Sequence, residues 1–158
     1  MRAMQYITFV FCALISLHLH ASENITKKDI LKIIHEVEAA AKSHNVEAIV
    51  KHFSTDAKIT LNFPAELGGT QVLSVSEYSA LLRDGWSLPA EFKYDVKDIQ
   101  IEISKDQKTA TATDIVYESI EIPGQFKIKS KSFEQVKFGL FNGAVLITDL
   151  SGKTEIQQ

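Results

Sequence analysis

Cysteine is almost missing from this chain of 158 residues: the single one, Cys12, lies inside the apolar run "YITFVFCALISL" near the N-terminus. Val10 and Phe11 stand before it, where a lipid-modified cysteine would need small residues. Downstream of that run there is no thiol, so disulfides, thiol catalysis and cysteine-bound metal are all excluded. Basic charge is scarce as well. Lys and Arg number 17 against 20 Asp and Glu, and one of the bases is Arg2 in the leader. An acidic remainder of this kind argues against nucleic acid, which needs a basic surface. The sequence also lacks a second long apolar run, a repeat, a linker, a Gly-rich phosphate loop and a cofactor fingerprint. "ELGGT" is too short and misplaced to hold phosphate.

What is present begins with a leader. Arg2 without an acid, the apolar run, and "HLHA" ending on Ala21 have the three-part layout of a secretory signal peptide, too short to span a bilayer. The expectation is cleavage near Ala21 and export to the periplasm or extracellular space, with no stable membrane anchoring afterwards. Residues 22–158 then form a single domain. A composition of 45% hydrophobic and 23% charged residues is rich enough to bury a core.

Thr26 with Asp29 suggests a capped helix carrying Ile30, Ile33, Ile34, Val37, Ala40 and Ala41 on one face. Asn45 caps a second short helix carrying Val46, Ile49, Val50 and Phe53. Asp56 reads as a turn residue before the alternating strand "AKITLNF". "SVSE" is a clear capping box, opening a third helix with Tyr78, Leu81 and Leu82 on one face and Gly85 at its end. Strands follow at roughly 93–104, 108–121, 126–138 and 144–150, joined by "KDQK", "PGQ" and "NG". Helices followed by antiparallel strands define an α+β layout.

"VEAIVKHFSTDAKITL", the capped "SVSEYSALL" and the closing "LFNGAVLITDLSG" together resemble the nuclear transport factor 2-like superfamily, which includes polyketide-cyclase-like and ketosteroid-isomerase-like proteins. The resemblance covers about residues 25–155. It implies a cone: a strongly curved antiparallel sheet, the cystatin-like roll, wrapped around about three N-terminal helices. A pocket at the open end and homodimerisation are implied too. The isomerase-like members keep a catalytic Asp late in the first strand, where this chain has Leu61, and the first helix has no Tyr. Steroid-isomerase chemistry is therefore not expected.

Alternation fixes the strand register, because a slip of one residue exchanges the two faces. A two-residue turn at Asp106-Gln107 pairs Ile103 with Ala110, Ile101 with Ala112 and Ile99 with Asp114. A three-residue loop, Pro123-Gly124-Gln125, pairs Ile120 with Ile128, Glu118 with Ser130 and Asp114 with Glu134. Asn142-Gly143 pairs Phe138 with Ile147 and Val136 with Asp149. The apolar face so defined is interrupted by Asp114, Glu118, Glu134 and Asp149. The other face carries threonines and lysines with Ile115, Tyr117 and Phe133 among them, a candidate dimer surface.

Acids on an apolar face raise each other's pKa, and suit a pocket for a polar or cationic ligand, or a general acid/base. A bulge turning Glu134 to solvent would remove that meaning. Candidate ligand-binding residues are thus Tyr78, Trp86, Asp114, Glu118, Glu134 and Asp149, with Asp114 or Glu134 as the catalytic candidates. Tyr78 and Trp86 flank the third helix and would line the pocket if they are not simply core. His44 and His52 sit on different helices without a third ligand, so no metal is expected. The expected function is an exported small-molecule-binding or interaction domain without catalysis and without cofactor. The alternative is a lyase, isomerase or hydrolase of polyketide-cyclase-like type.

Overall fold

The computed structural model describes residues 23–157; the leader expected over residues 1–21 lies outside them. α1 spans Lys27–Lys42, with the expected Thr26–Asp29 capping box formed in both directions. α2, Val46–Val50, starts at the Asn45 cap, whose side chain accepts from the Ala48 amide. Phe53 does not extend α2; it opens β1, Phe53–Asn62, and Asp56 lies within that strand rather than in a turn. A single 3₁₀ turn at Ala65–Leu67 and the positive φ of Gly68 and Gly69 reverse the chain into β2, Thr70–Leu73. α3, Val75–Trp86, begins at the Ser74–Glu77 capping box. It runs past Gly85 and is capped by Ser87.

The remaining strands are β3 Glu91–Ile103, β4 Thr109–Ile122, β5 Phe126–Phe141 and β6 Ala144–Gln157. All six strands form one sheet in the order β2-β1-β6-β5-β4-β3. β1 joins β6 in parallel, so the first strand closes against the last and the sheet is not purely antiparallel. The loops behave as their residues dictate. Gly124 (φ 75°) sits in a three-residue loop, and Asn142 (φ 49°) and Gly143 (φ 82°) take the left-handed pair that a two-residue hairpin needs.

Helices α1 and α2 and the inner sheet face share one core. Ile30, Ile59 and Ala112 have no exposed surface, and Phe138 only 1%. Burying each large aliphatic side chain stabilises the fold by about 1.5–3 kcal/mol. The register over β4 and β5 is the one that alternation demands, from Ile120 opposite Ile128 to Ala110 opposite Phe138.

Two bulges depart from it. In β3, Lys97 opposes Ile115 and Gln100 opposes Thr113, so Asp98 and Ile99 both face Asp114, and Ile99 is not its simple partner. Asp98 absorbs the extra residue with φ 55°, a left-handed conformation that Asp tolerates better than most residues. In β6, Phe138 opposes Ile147 but Lys137 opposes Asp149, leaving Thr148 as the extra residue. Its hydroxyl donates to the Lys137 carbonyl at 3.3 Å. Leu150, not Asp149, therefore stands opposite Val136 on the inner face.

Candidate functional site

The inner face can be read as rows running across the strands. One row is Ile101, Ala112, Val136, Leu150 and Ile59, an apolar floor. The next holds Asp114, Glu134, Gly152 and Leu61. Beyond it come Val96, Val116, Ser132 and Thr154, and then Tyr94, Glu118, Ser130 and Ile156. The acids enter between an apolar floor and a half-polar rim. No bulge intervenes in β5 at Glu134, so the Asp114–Glu134 pair is retained on the inner face.

Gly152 stands beside Glu134 in this row. A methyl there would lie 3.8 Å from Glu134 Oε1 and 3.7 Å from Leu61 Cδ2, ordinary contact distances. The helices cover these rows incompletely. A cavity of about 50 Å³ remains between them, walled by Ile33, Ile34 and Val37 of α1, Ile49, Phe53, Tyr78, Tyr94, Val96, Asp114 and Glu134. It continues outward into a mouth bordered by Tyr78, Leu82, Trp86, Tyr94, Glu118, Ser132, Glu134 and Thr154. Together with the mouth, of about 180 Å³, this mixture of apolar wall and few polar groups suits a small organic molecule.

The electrostatics of the cavity follow from that enclosure. Asp114 is 7% exposed and its Oδ1 has no hydrogen-bond partner. Burial pushes its carboxyl up to about 6. Glu134 goes up to about 8, through burial first and then the negative charges of Asp114 and Glu118. Glu118, at the mouth, keeps contact with solvent on one side, yet protein surrounds the rest of it and raises its carboxyl also. Burial raises both tyrosines, Tyr78 and Tyr94, aided by Glu134, so their hydroxyls remain protonated donors. Within the wall, a side-chain hydrogen bond joins Ser132 to Thr154 at 2.8 Å.

Of the residues expected from sequence, Tyr78, Asp114, Glu118 and Glu134 meet in this cavity, and Trp86 stands at its mouth. The Trp86 indole stacks on His44, with ring centroids 5.0 Å apart, and His44 meets Phe92 edge-on at 4.9 Å. Asp149 does not belong to the group. The Thr148 bulge turns it to the convex face, in register between Lys58 of β1 and Lys137 of β5. His52 lies 3.1 Å from Glu36 and takes no part.

Tyr94 is the principal residue that sequence reasoning missed, although the alternation of Phe92, Tyr94 and Val96 along β3 carried the signal. It stands directly opposite Glu118. Ser132, Gly152 and Thr154 were missed too, the last two because β6 runs well beyond the expected end at 150.

No protein-family model matches the sequence, and no curated protein matches it. Solved structures do match in shape. The hexachlorocyclohexane dehydrochlorinase LinA-type3 of Novosphingobium barchaimii superposes with a TM-score of 0.67 at 13% identity, over 82% of this chain and 87% of that one. A scytalone dehydratase candidate of Novosphingobium aromaticivorans gives 0.67 at 9% identity, over 81% and 83%. A third protein, also of N. aromaticivorans and described as ntf2-like with a cystatin-like fold, gives 0.64 at 14% identity, over 80% and 79%. The fold is therefore the nuclear transport factor 2-like, cystatin-like α+β fold, shared by enzymes and by proteins described by fold alone.

Proposed function

We propose that this is an exported protein that binds a small molecule inside the cone, with the ligand's polar group against Asp114 and Glu134. One observation carries the reading: a carboxyl oxygen of Asp114 is buried without a partner, in a residue that lines an apolar-walled cavity opening through a wider mouth. A buried unsatisfied acceptor destabilises the empty fold by about 1–3 kcal/mol, and a ligand that donates to it recovers that loss. The apolar walls supply affinity, and the tyrosine hydroxyls of Tyr78 and Tyr94 supply orientation. The convex face supports a homodimer in the same reading. Phe133 is 42% exposed there, opposite Ile115 and one row from Tyr117, with the Lys131 ammonium 4.4 Å from its ring.

Thermal-shift screening of residues 22–158 against small metabolites tests the binding. Hits are expected to raise the melting temperature, and Asp114→Asn and Glu134→Gln to reduce that rise. A shift unaltered by both substitutions would place the ligand elsewhere.

A second reading, a lyase or isomerase, rests on a different observation. Carboxyls at about 6 and about 8 straddle neutrality, so one is an available base while the other is an available acid. In that reading Asp114 removes a proton, Glu134 returns one, and Tyr78 or Tyr94 donates to the developing oxyanion. The dehydrochlorinase and dehydratase likenesses are of fold, and they support elimination chemistry only to that extent. Turnover with a bell-shaped pH profile, lost in both Asp114→Asn and Glu134→Gln, separates catalysis from binding alone.

A further inference from the structure

The cavity has a one-sided charge. Asp114, Glu118 and Glu134 border it, and among the described residues neither its deep part nor its mouth is bordered by a Lys, Arg or His; Lys42, His44 and Lys93 line a separate cleft on the far side of Trp86 and Glu118. None of the ion pairs among the described residues engages these acids either. Buried carboxylates are ordinarily paired, because an isolated charge in an apolar setting is strongly unfavourable. Asp114 is more than nine-tenths buried, its Oδ1 has no hydrogen-bond partner, and the residue lines the cavity. Among the described residues no side chain answers it.

Metal is a poor fit. Among the described residues no three His, Cys, Asp or Glu are grouped so as to hold an ion. The wall facing the acids is instead aromatic and aliphatic, with Phe53 and Tyr78 packed at 5.9 Å, Tyr94 beside Glu118, and Trp86 at the mouth. Aromatic faces favour an organic cation, and aliphatic walls favour its hydrocarbon body.

From this juxtaposition we propose that the ligand is a small organic amine, bound as its ammonium between Asp114 and Glu134 with its apolar body against α1 and the aromatic rings. The proposal rests on the small-molecule reading above and narrows it to one charge class.

Empty, the site limits its own negative charge by holding protons. The ammonium takes their place, so binding is coupled to proton release. The titratable groups facing Glu134 are Asp114 and Glu118 from β4, Tyr94 from β3 and Tyr78 from α3. The adjoining residues of β6 and β1, Gly152, Thr154 and Leu61, carry no charge. With Glu134 held at about 8, binding at neutral pH releases roughly one proton, and affinity rises with pH up to that value.

Three probes of nearly equal shape test the charge class: 2-phenylethylamine, 2-phenylethanol and phenylacetate. Trp86, the only tryptophan, reports binding by fluorescence, and calorimetry in buffers of different ionisation heat reports protons. The amine is expected to bind about 10-fold or more tightly than the alcohol, the acid least of all, and Asp114→Asn to erase the difference. Glu134→Gln is expected to abolish proton release while the circular dichroism spectrum stays unchanged. Equal or tighter binding of the alcohol, or no saturable binding of the amine, overturns the amine assignment and leaves the small-molecule reading standing. That reading falls as well only if the alcohol and the metabolite screen are also silent.

Discussion

Glu134→Gln raises the melting temperature at about pH 8.5 by roughly 5–15 °C, and the gain vanishes near pH 4. The sign follows from the direction of the shift. The Glu134 carboxyl stands at 4.5 in its ordinary setting and at about 8 in the folded protein. Below the lower value both states hold the proton, and folding loses nothing. Between the two values the unfolded chain has released a proton that the folded state retains, so stability falls as pH rises. Above the upper value the loss is complete, on the order of 2–4 kcal/mol once coupling to neighbouring acids is allowed for. Gln keeps the shape and cannot ionise. Asp114 works in the same sense over a lower window, from 3.8 to about 6. The protein should therefore lose stability through the range where carboxylates that are ion-paired in the folded state usually confer it. Melting curves of both proteins from pH 4 to 9 check this, and a constant difference across that range would contradict it.

The second large effect is on the core. Phe138→Ala destabilises by about 3–5 kcal/mol and lowers the melting temperature by roughly 10 °C or more. Phe138 is 1% exposed, lies opposite Ala110 on one side and Ile147 on the other, and borders the deep end of the cavity. Truncation removes a whole ring from a site that rigid strands prevent from collapsing. Phe133, on the same strand and the opposite face, is 42% exposed. Phe133→Ala should change stability by less than about 1 kcal/mol. Urea unfolding of the two variants side by side tests the face assignment of β5, and equal losses would refute it.

That assignment was readable in the sequence. Strict alternation and the three-residue Pro123-Gly124-Gln125 loop together fix β4 against β5, and with them the Asp114–Glu134 pair. Local chemistry also set the caps at Thr26, Asn45 and Ser74. Other features depend on contacts distant in the chain. Asp149 keeps alternation on paper, but the Thr148 bulge, which no turn residue announces, moves it to the convex face. The parallel pairing of β1 with β6 leaves no local mark. β2 is four residues long and follows a Gly-Gly turn, so its pattern is too short to read. Tyr94 is different in kind. Its inward direction followed from alternation, but its importance depended on Glu118 lying directly opposite, which only the β3–β4 register reveals.

Asp114 and Glu134 as a desolvated pair facing an open cavity is the claim from which both functional readings descend. Side-chain carboxyl titration by carbon-detected nuclear magnetic resonance on the ligand-free protein tests it most directly. The Glu134 carboxyl should titrate near 8 and Asp114 near 6, with Glu134 falling in Asp114→Asn because one of the neighbouring charges that raises it is gone. Ordinary values for both, unchanged by the substitution, would mean that the acids face water and that the cone has no such site.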